Sequence, residues 1–261
     1  MAAEIPLLVF TDLDGTLIDH DTYQWDAATP ALQALGSISA GIVLASSKTS
    51  AEIAPLRAAL GLEDWPAIVE NGAGMLPAHV RHIQGTSQHA KVRQTLSTLP
   101  AQIRRLFRGF GDVSAAEVAQ MTGLTVPAAE LAKQRHFSEP GQWLGSEVQK
   151  TEFVDALLDL GVQAQQGGRF LTLSFGGNKV DQMRRVIADC RPTHTIALGD
   201  APNDVQMLEH ADFGVIVRNP HRPPLPKLKG EDTGRIVRTD SPGPLGWNAA
   251  ILSLLHRLDL H

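Results

Sequence analysis

A chain of 261 residues, 43% of them apolar, is long enough to bury a sizeable core as one large domain or two modest ones. Its net charge of −5, with no long Lys/Arg run, argues against a nucleic-acid partner, and no apolar stretch nears the ~20 residues that span a membrane. One cysteine, Cys190, excludes an intrachain disulfide and fits a reducing cytoplasm; the ten histidines show no HxH or HExxH spacing, so no zinc site is expected, and the N-terminus lacks the basic region of a signal peptide.

The first element is the apolar run Leu7-Leu8-Val9-Phe10, which leads into Thr11-Asp12-Leu13-Asp14-Gly15-Thr16-Leu17. Continuous apolar character without alternation predicts a strand of a parallel sheet, covered on both faces. Asp12 and Asp14 then stand at its C-terminal end, the edge where open α/β sheets bind ligands, and the i, i+2 spacing turns both to one side. Two carboxylates held together favour a cation, and oxygen-only ligands suit a hard ion such as Mg2+. Asp-Gly is also common turn punctuation, so the pair alone equally permits two residues that only shape and cap a turn.

Pro30 to Leu35 begins a helix, and Gly41 to Ala45 is a second strand running into Ser46-Ser47-Lys48-Thr49-Ser50. Ser50 is read as the cap of the next helix, with Glu52 one position early for a capping box. Pro66 to Val69 is a third strand, followed by the turn Glu70-Asn71-Gly72-Ala73-Gly74. These are βαβ units with right-handed crossovers.

From about residue 80 the texture changes to helices at Val92 to Phe107, Ser114 to Met121 and Val148 to Leu160, the last closed by Gly161, with strands at Arg169 to Leu173 and around Trp143. The α/β texture then resumes: a helix at Lys179 to Ala188, a strand at Thr195 to Gly199, the turn Asp200-Ala201-Pro202-Asn203-Asp204, a helix at Val205 to Glu209 and a strand at Phe213 to Val217. The four-proline stretch Pro220 to Lys229 is a loop, and Trp247 to Leu260 a closing helix. The expected fold class is therefore α/β, a doubly wound, mostly parallel sheet formed by residues 1–80 and 175–261, with 81–174 inserted as an α+β cap.

Parallel strands bring their C-terminal ends to one edge, so Asp12/Asp14, Ser46/Ser47, Lys179 and Asp200/Asn203/Asp204 can converge on a phosphate-and-metal site. Each has a simpler reading: an exposed helix lysine, an Asp N-cap, or a serine or Asn-Gly pair that only makes a turn.

Taken in order, Asp12-Leu13-Asp14-Gly15-Thr16, Ser46, Lys179 and Gly199-Asp200-Ala201-Pro202-Asn203-Asp204 resemble the four motifs of the haloacid dehalogenase (HAD) superfamily of phosphohydrolases, whose core is Rossmann-like. Ala45-Ser46-Ser47-Lys48-Thr49, Glu70-Asn71-Gly72, Gln134 to Pro140, Gly168-Arg169-Phe170 and Gly243 to Trp247 narrow the likeness to mannosyl-3-phosphoglycerate phosphatases, which carry a large inserted cap. Two positions depart from that pattern: Val180 stands where relatives place a glycine beside the lysine, and Ser46 where threonine is common; either hydroxyl can donate to a phosphate oxygen.

The resemblance implies that Asp12 is the nucleophile forming an aspartyl-phosphate and Asp14 the acid and base. Mg2+ would be held by Asp12, Asp14 through its backbone carbonyl, Asp200, and Asn203 or Asp204; Ser46, Lys179 and Asn203 would hold phosphate. Ser47, Asn71, Gly72, Arg135, Glu139 and Arg169 are candidates for the rest of the substrate, although Arg135 and Glu139 could equally pair with each other at i, i+4. Phe137 and Trp143 suit the cap core better than a sugar platform. The implied substrate is a glycosyl-3-phosphoglycerate, mannosyl before glucosyl, hydrolysed to a glycosylglycerate of the compatible-solute type. The alternatives are a phosphatase or phosphomutase for another small sugar phosphate and, in a different class, a non-catalytic phosphosugar-binding module.

Overall fold

The run that opens the chain becomes strand β1 (Leu7–Thr11), every residue of it buried, at the middle of a seven-stranded sheet. The computed structural model describes residues 5–83, 88–167 and 169–260. Beside β1 on one side lie β2 (Gly41–Ala45), β3 (Ala67–Val69) and the short antiparallel β4 (Gly74–Leu76). A second sheet of four antiparallel strands, ordered β5-β6-β8-β7, is built from β5 (Phe107–Gly109), β6 (Ser138–Trp143), β7 (Gln163–Gly167) and β8 (Phe170–Ser174). The chain then returns to the large sheet as β9 (His194–Gly199), β10 (Phe213–Arg218) and β11 (Ile236–Pro242), all parallel, on the other side of β1.

Alternation along β1 sorts its side chains onto two cores. Leu7 and Val9 face one cluster with Trp247 and Ile251, whereas Leu8 and Phe10 face another with Met183, Val186, Met207 and Leu208. Helices α1 (Thr29–Ser37) and α2 (Ser50–Ala59) cross over between the first strands. In the inserted part, α3 (Gln88–Thr98) and α7 (Glu147–Asp159) cover the small sheet through Val92, Leu96, Phe153 and Leu157; α4 (Ala101–Arg104) is a single turn, and α5 (Ala115–Thr122) packs on α6 (Val126–Ala132). Helices α8 (Lys179–Cys190), α9 (Val205–His210) and α10 (Gly243–Arg257) complete the large layer.

Several local expectations shift. The helix expected over Val92 to Phe107 is broken at Pro100, and Phe107 opens β5. Thr49, not Ser50, caps α2: its hydroxyl accepts from Glu52 N at 3.2 Å while Glu52 accepts from Thr49 N at 2.8 Å, so Glu52 sits where a capping box needs it. Strands β4, β5, β7 and β11 and helix α6 carry no periodicity long enough to be read; β7 is the polar, largely exposed Gln-Ala-Gln-Gln-Gly at a sheet edge. Gly168 lies outside the described residues. The closing helix begins at Gly243, four residues before the expected start, with Pro242 at its cap and a proline in its first turn.

Trp247 ties this helix to the centre of the sheet. Fully buried, it donates from Nε1 to Thr11 Oγ1 at 3.0 Å, and Thr11 in turn donates to the Asp12 carbonyl at 2.7 Å. Trp247→Ala should therefore cost about 3–5 kcal/mol, read as a lower urea midpoint.

Candidate active site

Asp12 leaves β1 in register, its N–H donating to Leu198 O at 2.9 Å, so the side chain emerges at the C-terminal edge between β1 and β9. Lys179 is the first residue of α8, whose start is set by Asn178: its side chain accepts from Asp181 N at 2.9 Å. Only 1% exposed, Lys179 donates from Nζ to Asp12 Oδ1 at 2.6 Å and to Asp204 Oδ1 at 2.7 Å. Asp204 spends its other oxygen on the N–H groups of Asp200 and Ala201, at 3.1 and 3.0 Å, so both its oxygens are engaged. Asp200 is braced by Asn219 Nδ2 at 2.6 Å, Thr16 Oγ1 at 3.4 Å and, as an ion pair, Arg222 Nε at 3.4 Å. Gly15 lets this happen: its φ of +82° is left-handed, and a Cβ there would lie 2.5 Å from Asn219 Nδ2.

Ser46 is buried after β2. Its hydroxyl accepts from Lys48 N at 3.2 Å and its carbonyl accepts from Asn71 N at 2.9 Å. Asn71 Oδ1 accepts from Asn203 Nδ2 at 2.9 Å, and Gly72 O from Gln182 Nε2 at 2.9 Å. Asp14 is partly exposed, and Lys48 Nζ stands 3.0 Å from its Oδ1. Lys48, Thr16, Asn219 and Arg222 were not legible as site residues; Lys48 sits two residues after Ser46, but nothing along the chain pairs it with Asp14.

Carboxylate oxygens of Asp12, Asp200 and Asp204 lie within 4.8 Å of one another, met by the buried Lys179 ammonium and, at the rim, by the Arg222 guanidinium, so negative charge is in excess. Burial, then the charges of Asp12 and Asp204, push Asp200 up to about 7. Burial and Asp12 also raise Asp204, against the pull of Lys179. For Lys179, burial would lower the value, but the two aspartates outweigh it and hold the ammonium charged above its ordinary range. A buried, oxygen-only donor set with surplus negative charge fits a hard divalent cation. With the oxygens of Asp204 engaged, Asp12 and Asp200 are the carboxylates suited to face it. His20 and His221, distant in sequence, stack at 4.4 Å beside Asp21, all three exposed, a grouping no spacing rule could find.

The cap candidates fall elsewhere. Arg135 does not pair with Glu139; its Nε lies 3.2 Å from Glu70 Oε2, and Nη2 donates to Ser138 Oγ at 3.0 Å and to the carbonyl of exposed Ser47 at 3.3 Å. Glu139 is fully buried, held by His89 Nε2 at 2.5 Å, Arg93 Nη1 at 2.8 Å and Gly111 N at 2.8 Å. Arg169 is exposed, donates to Thr122 O at 3.0 Å and lies over the Phe170 ring. Phe153 stacks on Phe107 and meets Trp143 at a tilt, so Trp143 packs against the small sheet's core.

A doubly wound α/β sheet with an acidic, lysine-clamped cluster at the C-terminal edge of its central strand has the architecture of a HAD-type fold. A family model described as haloacid dehalogenase-like hydrolase matches residues 9–100 and 150–224, more than half the chain, and the protein belongs to that family. Among solved structures the fold is similar to a haloalkanoate-superfamily phosphatase from Bacteroides thetaiotaomicron (TM-score 0.67, 16% identity, 100% of this chain and 97% of that one). It is also similar to the sucrose-phosphatase of Synechocystis (0.62, 17%, 98% and 98%) and to a subclass IIB sugar phosphatase (0.63, 16%, 96% and 98%). Among the described residues no helix is long and apolar enough to cross a membrane.

The raised Asp200 fixes a sign. Folded without a cation it holds its proton up to about pH 7, whereas the unfolded chain releases it near pH 4. Between those values the folded state binds more protons, so this group's contribution to stability falls as pH rises through the window. Thermal melts of the cation-free chain at about pH 5 and about pH 8 should show that loss, and added Mg2+ should reverse it most at the higher pH.

Proposed function

We propose that the protein is a Mg2+-dependent phosphomonoesterase acting on a small phosphorylated sugar or sugar acid, with a glycosyl-3-phosphoglycerate, mannosyl before glucosyl, as substrate. The observation that carries the hydrolytic reading is the Lys179 clamp, which holds one oxygen of Asp12 at 2.6 Å, beside Asp200 and Asp204. A residue that only capped a turn would need neither a buried ammonium nor two further carboxylates.

In this reading Asp12 attacks phosphorus with the oxygen that Lys179 does not hold. The bond from phosphorus to the ester oxygen breaks, and Asp14 supplies the proton to the leaving alkoxide. Asp14 then takes a proton from the water that attacks phosphorus, the bond from phosphorus to the Asp12 oxygen breaks, and phosphate leaves with both carboxyls back in their starting states. Lys48 Nζ, 3.0 Å from Asp14 Oδ1, holds that carboxyl in place for both steps. Ser46, Lys179 and Asn203 take the phosphate oxygens. Asp12, the Asp14 carbonyl and Asp200 would hold Mg2+, with Asp204 fixing the loop; the ion offsets the repulsion between a carboxylate and an anionic ester.

The sugar class is supported by the sucrose-phosphatase and sugar-phosphatase likeness, and the glycosyl-phosphoglycerate by the sequence segments quoted above. Arg135 and Glu139 already have partners within the protein, Arg135 in Glu70 and Glu139 in His89 and Arg93.

Asp12→Asn should cut phosphate release by about 10³-fold or more while leaving the fold intact, and Asp14→Asn by about 10²–10⁴-fold. Both are read with a chromogenic phosphate ester and Mg2+; an Asp12→Ala rate equal to wild type would remove the catalytic reading. A panel of mannosyl- and glucosyl-3-phosphoglycerate, sucrose phosphate and simple hexose phosphates decides the substrate. Slow turnover of the simple esters alone would remove the glycosyl-phosphoglycerate claim.

A further inference from the structure

The turn after β3 holds three successive residues in the left-handed region: Glu70 at φ +52°, Asn71 at +59° and Gly72 at +88°. Two are not glycine, and such strain persists only where the surroundings over-determine it. Each of the three reaches a different part of the protein.

Glu70 is fully buried yet belongs to the edge of the large sheet, while its carboxylate is spent on the inserted part. It accepts from His136 N at 2.8 Å, Phe137 N at 3.2 Å and Ser138 N and Oγ at 2.8 and 2.7 Å, with Arg135 Nε at 3.2 Å. Three consecutive main-chain N–H groups, a hydroxyl and a guanidinium on one carboxylate make a charge-assisted socket at the start of β6. Below it, the Glu70 N–H donates to Lys48 O and that of Asn71 to Ser46 O, both at 2.9 Å. The Asn71 side chain holds Asn203, and Gly72 O holds Gln182 of α8. Gly72 also lies so close to α8 that a Cβ would come within 2.4 Å of Lys179 N.

We propose that Glu70 is a positioning residue that couples seating of the inserted unit to assembly of the phosphate-binding loops: the socket holds β6 down, and the same turn sets Ser46, Asn203 and the start of α8. Glu70 touches no substrate atom. When the inserted unit lifts, the carboxylate loses five partners in a buried place, and the strained turn loses what holds it in shape. The sugar-bearing half of a ligand, by seating that unit, thereby helps to order the half of the site that holds phosphate. The turnover consequence rests on the phosphatase reading; the coupling does not.

The test is amide hydrogen exchange, followed by mass spectrometry, on the full chain and on Glu70→Gln, which keeps the shape but replaces half of the acceptor with a donor. Exchange should rise roughly tenfold or more in the peptide covering 136–143 and also in those covering 46–49 and 70–72, while the central strand at 7–11 stays protected. Arg135→Gln, which leaves the main-chain donors in place, should show the same pattern more weakly and serves if Glu70→Gln does not fold. Loosening confined to 136–143, or no change at all, overturns the coupling. With a chromogenic ester and Mg2+, Glu70→Gln should lower kcat as well as raise KM; a raised KM with kcat unchanged overturns the link to the phosphate loops. A wild-type chain that hydrolyses nothing would sink the phosphatase reading and leave the coupling to be judged by exchange alone.

Discussion

A lysine ammonium sealed from water between Asp12 and Asp204 is the constraint around which the site is arranged. Taking that charge out of water is costly, and the cost is offset only because two carboxylates meet it at hydrogen-bond distance. Such a contact fixes three segments at once: the end of β1, the loop after β9 and the first residue of α8. It also dictates chemistry at some remove. The start of α8 must approach the turn after β3 so closely that residue 72 has no room for a side chain, and Asp204 must turn its second oxygen back onto its own loop. Asp200 lies outside the reach of that ammonium, and burial, with the charges of Asp12 and Asp204 beside it, raises its hold on a proton despite Asn219 and Arg222.

What could be read from the chain divides along physical lines. The β1, β2 and β9 strands were legible because buried parallel strands are written as continuous apolar runs, and the acids, serine and lysine at their ends because a parallel sheet sends those ends to one edge. The short or edge strands were not. In β7, Gln163 to Gly167 is a sheet-edge strand paired with β8; apart from the half-buried Ala164 it faces solvent, so hydrogen bonding more than apolar burial makes it a strand. The cap of α2 was misplaced by one residue because Thr49 and Ser50 are both good caps, and only the main-chain conformation decides between them. The i, i+4 pairing open to Arg135 fails for a deeper reason. Local spacing offered Glu139 as its partner, but the strand that begins at Ser138 turns Glu139 into the small sheet's interior, and the partner that won comes from the other sheet. Pairings between distant segments leave no local signal.

The two sheets therefore share more than a covalent connection. Thr49, at the cap of α2, donates to Leu131 O at 3.0 Å, and the ring of Phe137 lies where a Cβ on Gly74 would fall. These contacts, with the Glu70 socket, draw their partners from the loops after β2 and β3, the loops that present Ser46 and Asn71. The polar site and the seam between the layers thus share the same two loops, so neither can be repacked without disturbing the other.

Gly177, on the return from the small sheet, lies against Gly72 and Ala73; a Cβ on it would fall 2.8 Å from Gly72 O. The chain departs shortly after these residues and comes back against them, so to the large sheet the whole inserted unit is a single excursion from one place on its edge. Closing a loop costs entropy that grows only with the logarithm of its length. A short connection, or a different folded unit, could span the same gap with little strain on the strands that flank it. Such a replacement would leave the ends of β1 and β9 in place but would take from Glu70 and Thr49 the partners that the present unit supplies.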